Sequence, residues 1–162
     1  MRLQTGEKSR GFTLIELMVV VAIATVLISI AIPSYMTQVR QSRRTEARTA
    51  VLDAAGREER FFSTNGSSYT QTAGSLGYTG FPIAVGSGYY NLTVCSPACA
   101  PSAVGAPSYT AIALPIAGTS QAQDTACQGF AVDSTGVQWA ETGGAWAQNI
   151  PANAAAALCW SN

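Results

Sequence analysis

The side chains that could carry out chemistry are few in this 162-residue sequence, and they are unevenly spread. The sequence contains 9 basic and 9 acidic residues and no histidine, and every basic residue lies at or before Arg60. The charged residues beyond that point are Asp124, Asp133 and Glu141, three separated carboxylates that are weak evidence for a Ca²⁺ site. General bases and activated nucleophiles are usually built from histidine, lysine or paired carboxylates. We therefore expect no catalytic residues, no metal and no cofactor, and we predict that the protein is not an enzyme.

Glu16 is the one charged residue in an apolar run that covers residues 12–32. At about 1.5 Å per residue, a helix of that length spans roughly 31 Å, close to the hydrocarbon thickness of a bilayer. The run therefore predicts a transmembrane helix. A carboxylate near the membrane centre costs about 2.5 to 3.5 kcal/mol on insertion scales, so Glu16 should have a partner that its own helix does not supply. The alternative is that Glu16 lies near the interface and reaches water.

A short basic segment, residues 1–11, precedes the apolar run and contains Arg2, Lys8 and Arg10. A cleaved secretory signal has the same arrangement, but its apolar core usually has about 7 to 15 residues, and no clear small-residue cleavage site follows this run. Basic residues on the two sides of the run nearly balance and leave the orientation open. Four cysteines in the C-terminal part favour an oxidising compartment there, which places residues 1–11 on the cytoplasmic side.

Residues 33–64 are predicted to continue the helix in amphipathic form. Pro33 lacks the amide that would bond to Ser29, so we expect a kink near residue 33, with a simple boundary between membrane span and soluble helix as the alternative. The Asn65-Gly66 dipeptide supplies a stop. Apolar side chains recur at spacings of three or four residues, or at sums of these spacings. They form one stripe of Met36, Val39, Ala47, Ala50, Ala54 and Phe61.

Arg40, Arg44 and Arg48 lie beside this stripe and form a basic flank. Such a cluster can bind anionic lipid, DNA or an acidic patch on another protein. Charge runs on helices are also commonly solvated faces, so the sequence leaves both interpretations open.

Residues 65–162 are predicted to form a sheet domain. Residues 66–88 are rich in Gly, Ser, Thr and Tyr and indicate a connecting loop. Four strands are predicted, at residues 89–95, 109–114, 129–133 and 137–140, with a tight turn from Asp133 to Gly136. The fold class is then α+β, with a four-stranded antiparallel sheet packed on the apolar stripe of the long helix.

The string from Gly11 to Leu17, GFTLIEL, together with Pro33 after the apolar run, resembles the type IV prepilin signature. Residues 33–62 and 67–70 are similar to PilE-like minor pilins in particular. The resemblance implies the pilin fold and cleavage between Gly11 and Phe12 by a prepilin peptidase, which also methylates the new amine of Phe12. It implies a subunit held in the inner membrane, with its leader cytoplasmic and its domain periplasmic, and later displayed on an extracellular pilus.

The resemblance also implies partners: other pilin subunits in a homo- or hetero-polymer, the inner-membrane assembly machinery, and the membrane before assembly. In such a filament, the Phe12 amine of a neighbouring subunit is the expected counter-charge for Glu16, and the pair fixes the stagger between subunits. The expected roles are pilus assembly, twitching motility and adhesion, with subunit contact as the use of the arginine flank and nucleic acid an unlikely ligand. The alternatives are a pseudopilin of type II secretion, a DNA-uptake pilin, or an anchored periplasmic binding module that does not polymerise.

The four cysteines allow three pairings. The resemblance favours Cys127 with Cys159, because pilins typically close a C-terminal loop in this way, and we favour Cys95 with Cys99. Zinc binding is the less favoured alternative, since there is no histidine and no pair of Cys-x-x-Cys motifs.

Overall fold

The computed structural model describes residues 11–161, so the predicted leader lies outside the described residues except for Gly11. The chain divides after Gln38 into two compact units, which are described separately. In chain order the elements are helix α1 (Leu14–Thr64), a short 3-10 helix (Ala73–Leu76), strands β1 (Ile83–Val85), β2 (Tyr90–Cys95), β3 (Thr110–Pro115), β4 (Phe130–Asp133), β5 (Gln138–Thr142) and β6 (Ala145–Gln148), and helix α2 (Ala154–Ser161).

The first unit contains the N-terminal part of α1. Its large apolar side chains are exposed, from 78% at Phe12 to 38% at Met36. By length and composition α1 can cross a membrane, since an 18-residue window has a mean hydropathy of 2.7 with none of it buried. Pro33 lies inside α1, and its carbonyl accepts a hydrogen bond of 3.1 Å from the Thr37 hydroxyl. The kink expected there stays a prediction.

The second unit contains an antiparallel sheet whose strands lie in chain order from β1 to β6. The α+β prediction is confirmed, but the expectation of four strands is wrong, because the sheet has six. Strand β1 lies in the segment expected to be a loop, where a turn with positive φ at Gly86 and Gly88 pairs it with β2. Strand β6 returns after Gly143 and Gly144, which both have the positive φ that tight hairpins require.

A single core joins α1, the inner face of the sheet and α2. In β2 the side chains alternate strictly, with Tyr90, Leu92 and Val94 buried. The buried face of α1 consists of Ala47, Val51, Ala54, Ala55 and Glu58, which overlaps the predicted stripe at Ala47 and Ala54. Helix α2, which was not predicted, covers one end of the core with Ala156 and Cys159. The sequence Ala154–Ser161 is rich in alanine, the best helix former, so its helical form has a local cause.

Candidate functional site

The start of α1 holds the predicted cleavage and assembly residues. Gly11 and Phe12 precede the helix, and the hydroxyl of Thr13 accepts a hydrogen bond of 3.3 Å from the amide of Glu16, as an N-terminal capping residue does. Phe12 and Glu16 are both exposed. The hydroxyls of Thr25 and Ser29 bond to carbonyls of their own helix, whereas the Glu16 carboxylate has no recorded partner among the described residues. The start of α1 therefore combines a large uncovered apolar surface with one unmatched acid.

Arg44 and Arg48, two residues of the predicted basic flank, are directed into their own domain. The guanidinium of Arg44 donates to both carboxylate oxygens of Asp124, at 2.7 and 2.8 Å, and the two side chains are only 14% and 4% exposed. Arg48 donates to the carbonyl of Trp160 at 2.8 Å, which joins α1 to α2. Arg40 is half-buried. Two of the three arginines thus bond within the domain, and the guanidinium of Arg44, which is the largely buried one of the two, needs its acceptor close by.

A buried polar network extends from the Arg44 ion pair. Gln121 is fully buried and donates to the hydroxyl of Tyr90 and to Asp124, both at 3.0 Å. Burial raises the pKa of Tyr90 to about 12, so its hydroxyl stays neutral at physiological pH. Arg43 donates to the hydroxyl of Ser120 at 2.8 Å. These bonds fix the long connection between β3 and β4 onto α1 and β2.

Glu46 fastens the β1–β2 turn to the same helix. One carboxylate oxygen of Glu46 accepts a bond from the amide of Ser87, and the other bonds to the Ser87 hydroxyl, both at 2.8 Å. Gly86 lies directly against Glu46, since a Cβ at residue 86 would meet the Glu46 Cβ at 2.7 Å. Glycine is required here both by this close approach and by its positive φ of 59°.

Asp133 organises the β4–β5 turn. The residue is buried, and its carboxylate accepts bonds from the Ser102 hydroxyl at 2.9 Å, the Thr135 amide and hydroxyl at 3.0 and 2.6 Å, and the indole of Trp139 at 3.3 Å. Burial alone would raise the pKa of Asp133, but these donors outweigh it and lower the pKa below its usual value. Asp133 is therefore a structural residue, and the described residues include no cluster suited to a metal ion.

Glu58 is a carboxylate within the core. It is 0% exposed, one oxygen accepts a bond of 3.1 Å from the amide of Thr70, and the other oxygen has no partner. Burial raises the pKa of Glu58 from 4.5 to about 7, and the nearby charge of Glu59 adds to the effect. Tyr69 and Tyr109 lie close by, and burial raises the pKa of both hydroxyls, so they are neutral neighbours.

The domain should lose stability as pH rises, because the folded state holds the proton of Glu58 more tightly than the unfolded chain does. The contribution is complete below pH 4.5 and is lost as pH rises to about 7, for a total of up to about 3 kcal/mol in unfolding free energy. Urea unfolding at pH 5 and pH 8 measures it. Glu58→Gln should remove this pH dependence, whereas Glu59→Gln, an exposed neighbour, should retain most of it. Equal dependence in the two variants would contradict the assignment.

Few charges remain free for a partner once these contacts are made. Arg57 pairs with Asp53 at 2.7 Å, while Arg60 is exposed and its guanidinium has no recorded partner among the described residues. Beyond Arg60, Asp124 and Asp133 are buried, so Glu141 is the accessible carboxylate of the sheet domain. Exposed charges of both signs therefore lie on α1, where Glu59 is exposed beside Arg60, whereas the accessible charge of the sheet is the carboxylate of Glu141 on β5.

Sequence reasoning did not identify Glu58, Glu46 or the Asp124 pair. Glu58 had a detectable signal, because it follows Ala47, Val51 and Ala54 at spacings of four, three and four and so falls on the buried face. Glu46 and Asp124 had none, since their partners are 41 and 80 residues away in the chain. The structure joins Cys95 to Cys99 and Cys127 to Cys159, which are the two favoured pairs.

Comparison with known proteins gives two family matches. Residues 7–32 match the prokaryotic N-terminal methylation motif. Residues 33–131, more than half of the chain, match the family described as "Type IV minor pilin ComP, DNA uptake sequence receptor".

Individual relatives match over a shorter region. The chain is 39% identical over 71 residues to the type IV major pilin protein PilA of Myxococcus xanthus, which covers 44% of this chain and 32% of that protein. It is 40% identical over 57 residues to the fimbrial protein EcpC of Eikenella corrodens, which covers 35% of this chain and 37% of that protein. It is 42% identical over 69 residues to a type IV major fimbrial protein FimA of Dichelobacter nodosus, which covers 36% of this chain and 44% of that protein. The matched region thus spans a third to less than a half of these relatives.

The methylation motif precedes the minor pilin match without a gap, and the uncovered apolar helix, the single acid at its start and the antiparallel sheet all agree with both. The chain belongs to the type IV minor pilin family described under the name ComP.

Proposed function

We propose that this protein is a structural subunit of a bacterial type IV pilus that polymerises through the N-terminal part of α1. The observation that carries the proposal is the uncovered apolar surface of residues 12–36, which contains a single charged residue, Glu16. Exposed apolar patches of this size require lipid or other protein to cover them. Lipid covers this surface while the chain is anchored in the inner membrane, and neighbouring subunits cover it once the chain is packed in the filament core.

Cleavage between Gly11 and Phe12 is the step that makes polymerisation possible in this scheme. It creates an ammonium group at Phe12, four residues before Glu16, and removes the basic segment that holds the chain at the cytoplasmic side. The Phe12 ammonium of one subunit then pairs with the Glu16 carboxylate of its neighbour in an apolar core, where each charge alone would be heavily penalised. The processing enzyme is a prepilin peptidase, and the remaining partners are other pilin subunits and the inner-membrane assembly machinery. The protein has no enzymatic role in this proposal.

N-terminal analysis of the protein in sheared filaments tests the proposal. We expect the chain to begin at a methylated Phe12. A Gly11→Asp variant should keep residues 1–11 and should be absent from the sheared fraction while it remains in the membrane. Filaments that contain this chain with its first eleven residues attached would overturn the proposal.

DNA uptake is a second candidate function, because the matched family is described as a DNA uptake sequence receptor. Binding to DNA depends chiefly on cationic side chains that neutralise phosphates. In a chain cleaved after Gly11 such contacts must come from α1, since Arg2, Lys8 and Arg10 are removed with the leader and no basic residue follows Arg60. Duplex DNA binding by the full chain at two salt concentrations separates this candidate from a purely structural subunit.

A further inference from the structure

The outer face of the sheet carries an aromatic and acidic cluster. Three side chains meet above Gly129: the point that a Cβ would occupy there is 2.9 Å from Leu114 Cδ2, 2.9 Å from Trp146 Cη2 and 3.0 Å from Glu141 Oε2. We call Leu114, Glu141 and Trp146 the outer cluster. Residue 129 must be small, because any side chain would displace the indole of Trp146.

The register of the strands fixes how Trp146 lies. Trp146 on β6 is directly opposite Glu141 on β5, and the Glu141 amide donates to the carbonyl of Gly129 at 2.9 Å on the far side of β5. An indole that starts on β6 and ends above Gly129 therefore lies across β5 instead of pointing away from the sheet. Trp146 remains partly exposed and Leu114 is 43% exposed, so the outer cluster presents a flat apolar surface beside a carboxylate.

This surface suits a guanidinium group. A planar guanidinium can stack on an indole and pair with a carboxylate at the same time, which an ammonium does less well. The same domain already uses such contacts internally, since the guanidinium of Arg43 lies 3.4 Å from the ring centre of Tyr89 and that of Arg57 lies 4.5 Å from the ring centre of Tyr78. Glu141 has no recorded cationic partner among the described residues, and the sequence offers none beyond Arg60.

The complementary group lies on α1. Arg60 is exposed at the rim of a groove of about 670 Å³ that also contains Phe61, Ser75 and Leu76. We propose that the outer cluster of one copy of this chain docks the Arg60 end of α1 from a second copy, with the guanidinium placed against Trp146 and Glu141. The two patches differ from each other, so the contact is heterologous, and repeated head-to-tail contacts of this kind generate an open polymer. The inference rests on the proposed function, because it assigns a contact within the proposed filament.

Photo-cross-linking in cells tests the contact directly. The full chain carrying p-benzoylphenylalanine in place of Leu114, which leaves Trp146 and Glu141 unchanged, is produced together with a second, epitope-tagged full-length copy. We expect a cross-linked pair of copies, with the attached peptide within residues 57–64 of the tagged chain. The same probe at Gln123, an exposed position on the β3–β4 connection, is the matched control and should give little of this product. A product with a different protein, attachment elsewhere in the tagged copy, or a yield no higher than the control would overturn the inference.

Charge reversal provides a second measurement. Arg60→Glu and Glu141→Arg should each lower the cross-linked pair by about fivefold, and the double variant should recover at least half of it, because the attraction is restored with its signs exchanged. Arg60→Gln and Glu141→Gln should have smaller effects of the same sign. Non-reducing electrophoresis checks that each variant keeps its disulfides. Single variants without effect, or a double variant no better than the singles, would contradict the contact.

Sheared filaments of the same strains separate the two proposals. If the unmodified chain is present in filaments while the cross-link fails, the docking contact is wrong and the pilus assignment stands. If the unmodified chain is absent from filaments, the pilus assignment fails and the docking contact fails with it.

Discussion

Replacement of Glu16 by alanine is expected to leave the protein in the membrane and to lower its amount in sheared filaments by about tenfold or more. Removal of a carboxylate from an apolar segment favours membrane insertion, so the anchored pool should not fall. In the proposed filament, the change would leave the Phe12 ammonium of a neighbouring subunit without its proposed partner in an apolar environment. Each 1.4 kcal/mol of lost contact free energy is worth a factor of ten in binding, and an unpaired charge there costs more than that. Immunoblots of the membrane and sheared fractions give the ratio.

Two further variants make this result interpretable. Glu16→Gln keeps the size and polarity of the side chain and removes its charge, so it should behave like alanine if the charge is what matters. Thr25→Ala changes a polar residue of the same helix whose hydroxyl is already bonded to the carbonyl of Val21 at 2.8 Å, and it should assemble normally. Normal incorporation of Glu16→Ala would remove the electrostatic mechanism from the proposed function.

Replacement of Asp124 by alanine is expected to reduce the unfolding free energy by about 3 to 5 kcal/mol, the usual cost of removing one partner from a buried ion pair. The variant leaves the guanidinium of Arg44, whose side chain is 14% exposed, without its carboxylate partner. It also removes an acceptor from Gln121. Most small domains have a total stability of only about 5 to 15 kcal/mol, so this loss should lower the midpoint of urea unfolding clearly.

The matched control is the exposed pair of Arg57 and Asp53, which has the same 2.7 Å separation but side chains 32% and 46% exposed. Asp53→Ala should cost no more than about 1 kcal/mol, because water screens an exposed pair. The double variant Arg44→Met with Asp124→Leu should recover much of the stability, since it removes both buried charges together. Equal losses for Asp124→Ala and Asp53→Ala would show that burial is not the cause.

Helix α1 could be predicted from the sequence because the residues that specify it are close neighbours in the chain. The apolar run, the single acid at Glu16 and the helix that ends near Asn65 are each visible within a few neighbouring residues. Strands β2 to β5 were also predicted within a few residues, since alternation and turn signals lie in the strands themselves. The six-stranded sheet could have been recognised more fully, because Gly86, Gly88, Gly143 and Gly144 mark two further hairpins.

The partners of the charged residues on α1 could not be predicted in the same way. Arg44, Glu46 and Arg48 have the appearance of a solvated helix face, and nothing near them in the sequence identifies Asp124, Ser87 or Trp160 as their partners. Which loop meets which turn of the helix depends on how the whole sheet packs. Several charged side chains of α1 therefore bond within the domain, although the local sequence assigns them to solvent or to contacts with other proteins.

The bond between Cys127 and Cys159 has a mechanical consequence. It joins Cys127, just before β4, to Cys159 in α2, at a sequence separation of 32, so β4, β5 and β6 are enclosed within one covalent loop. A chain under tension lengthens by about 3.4 Å for every residue that unfolds. The closed loop therefore makes the fully stretched chain shorter by roughly 110 Å. If a fibre retracts under load, the segment from Cys127 to Cys159 of each subunit cannot be pulled into an extended chain while this crosslink is intact.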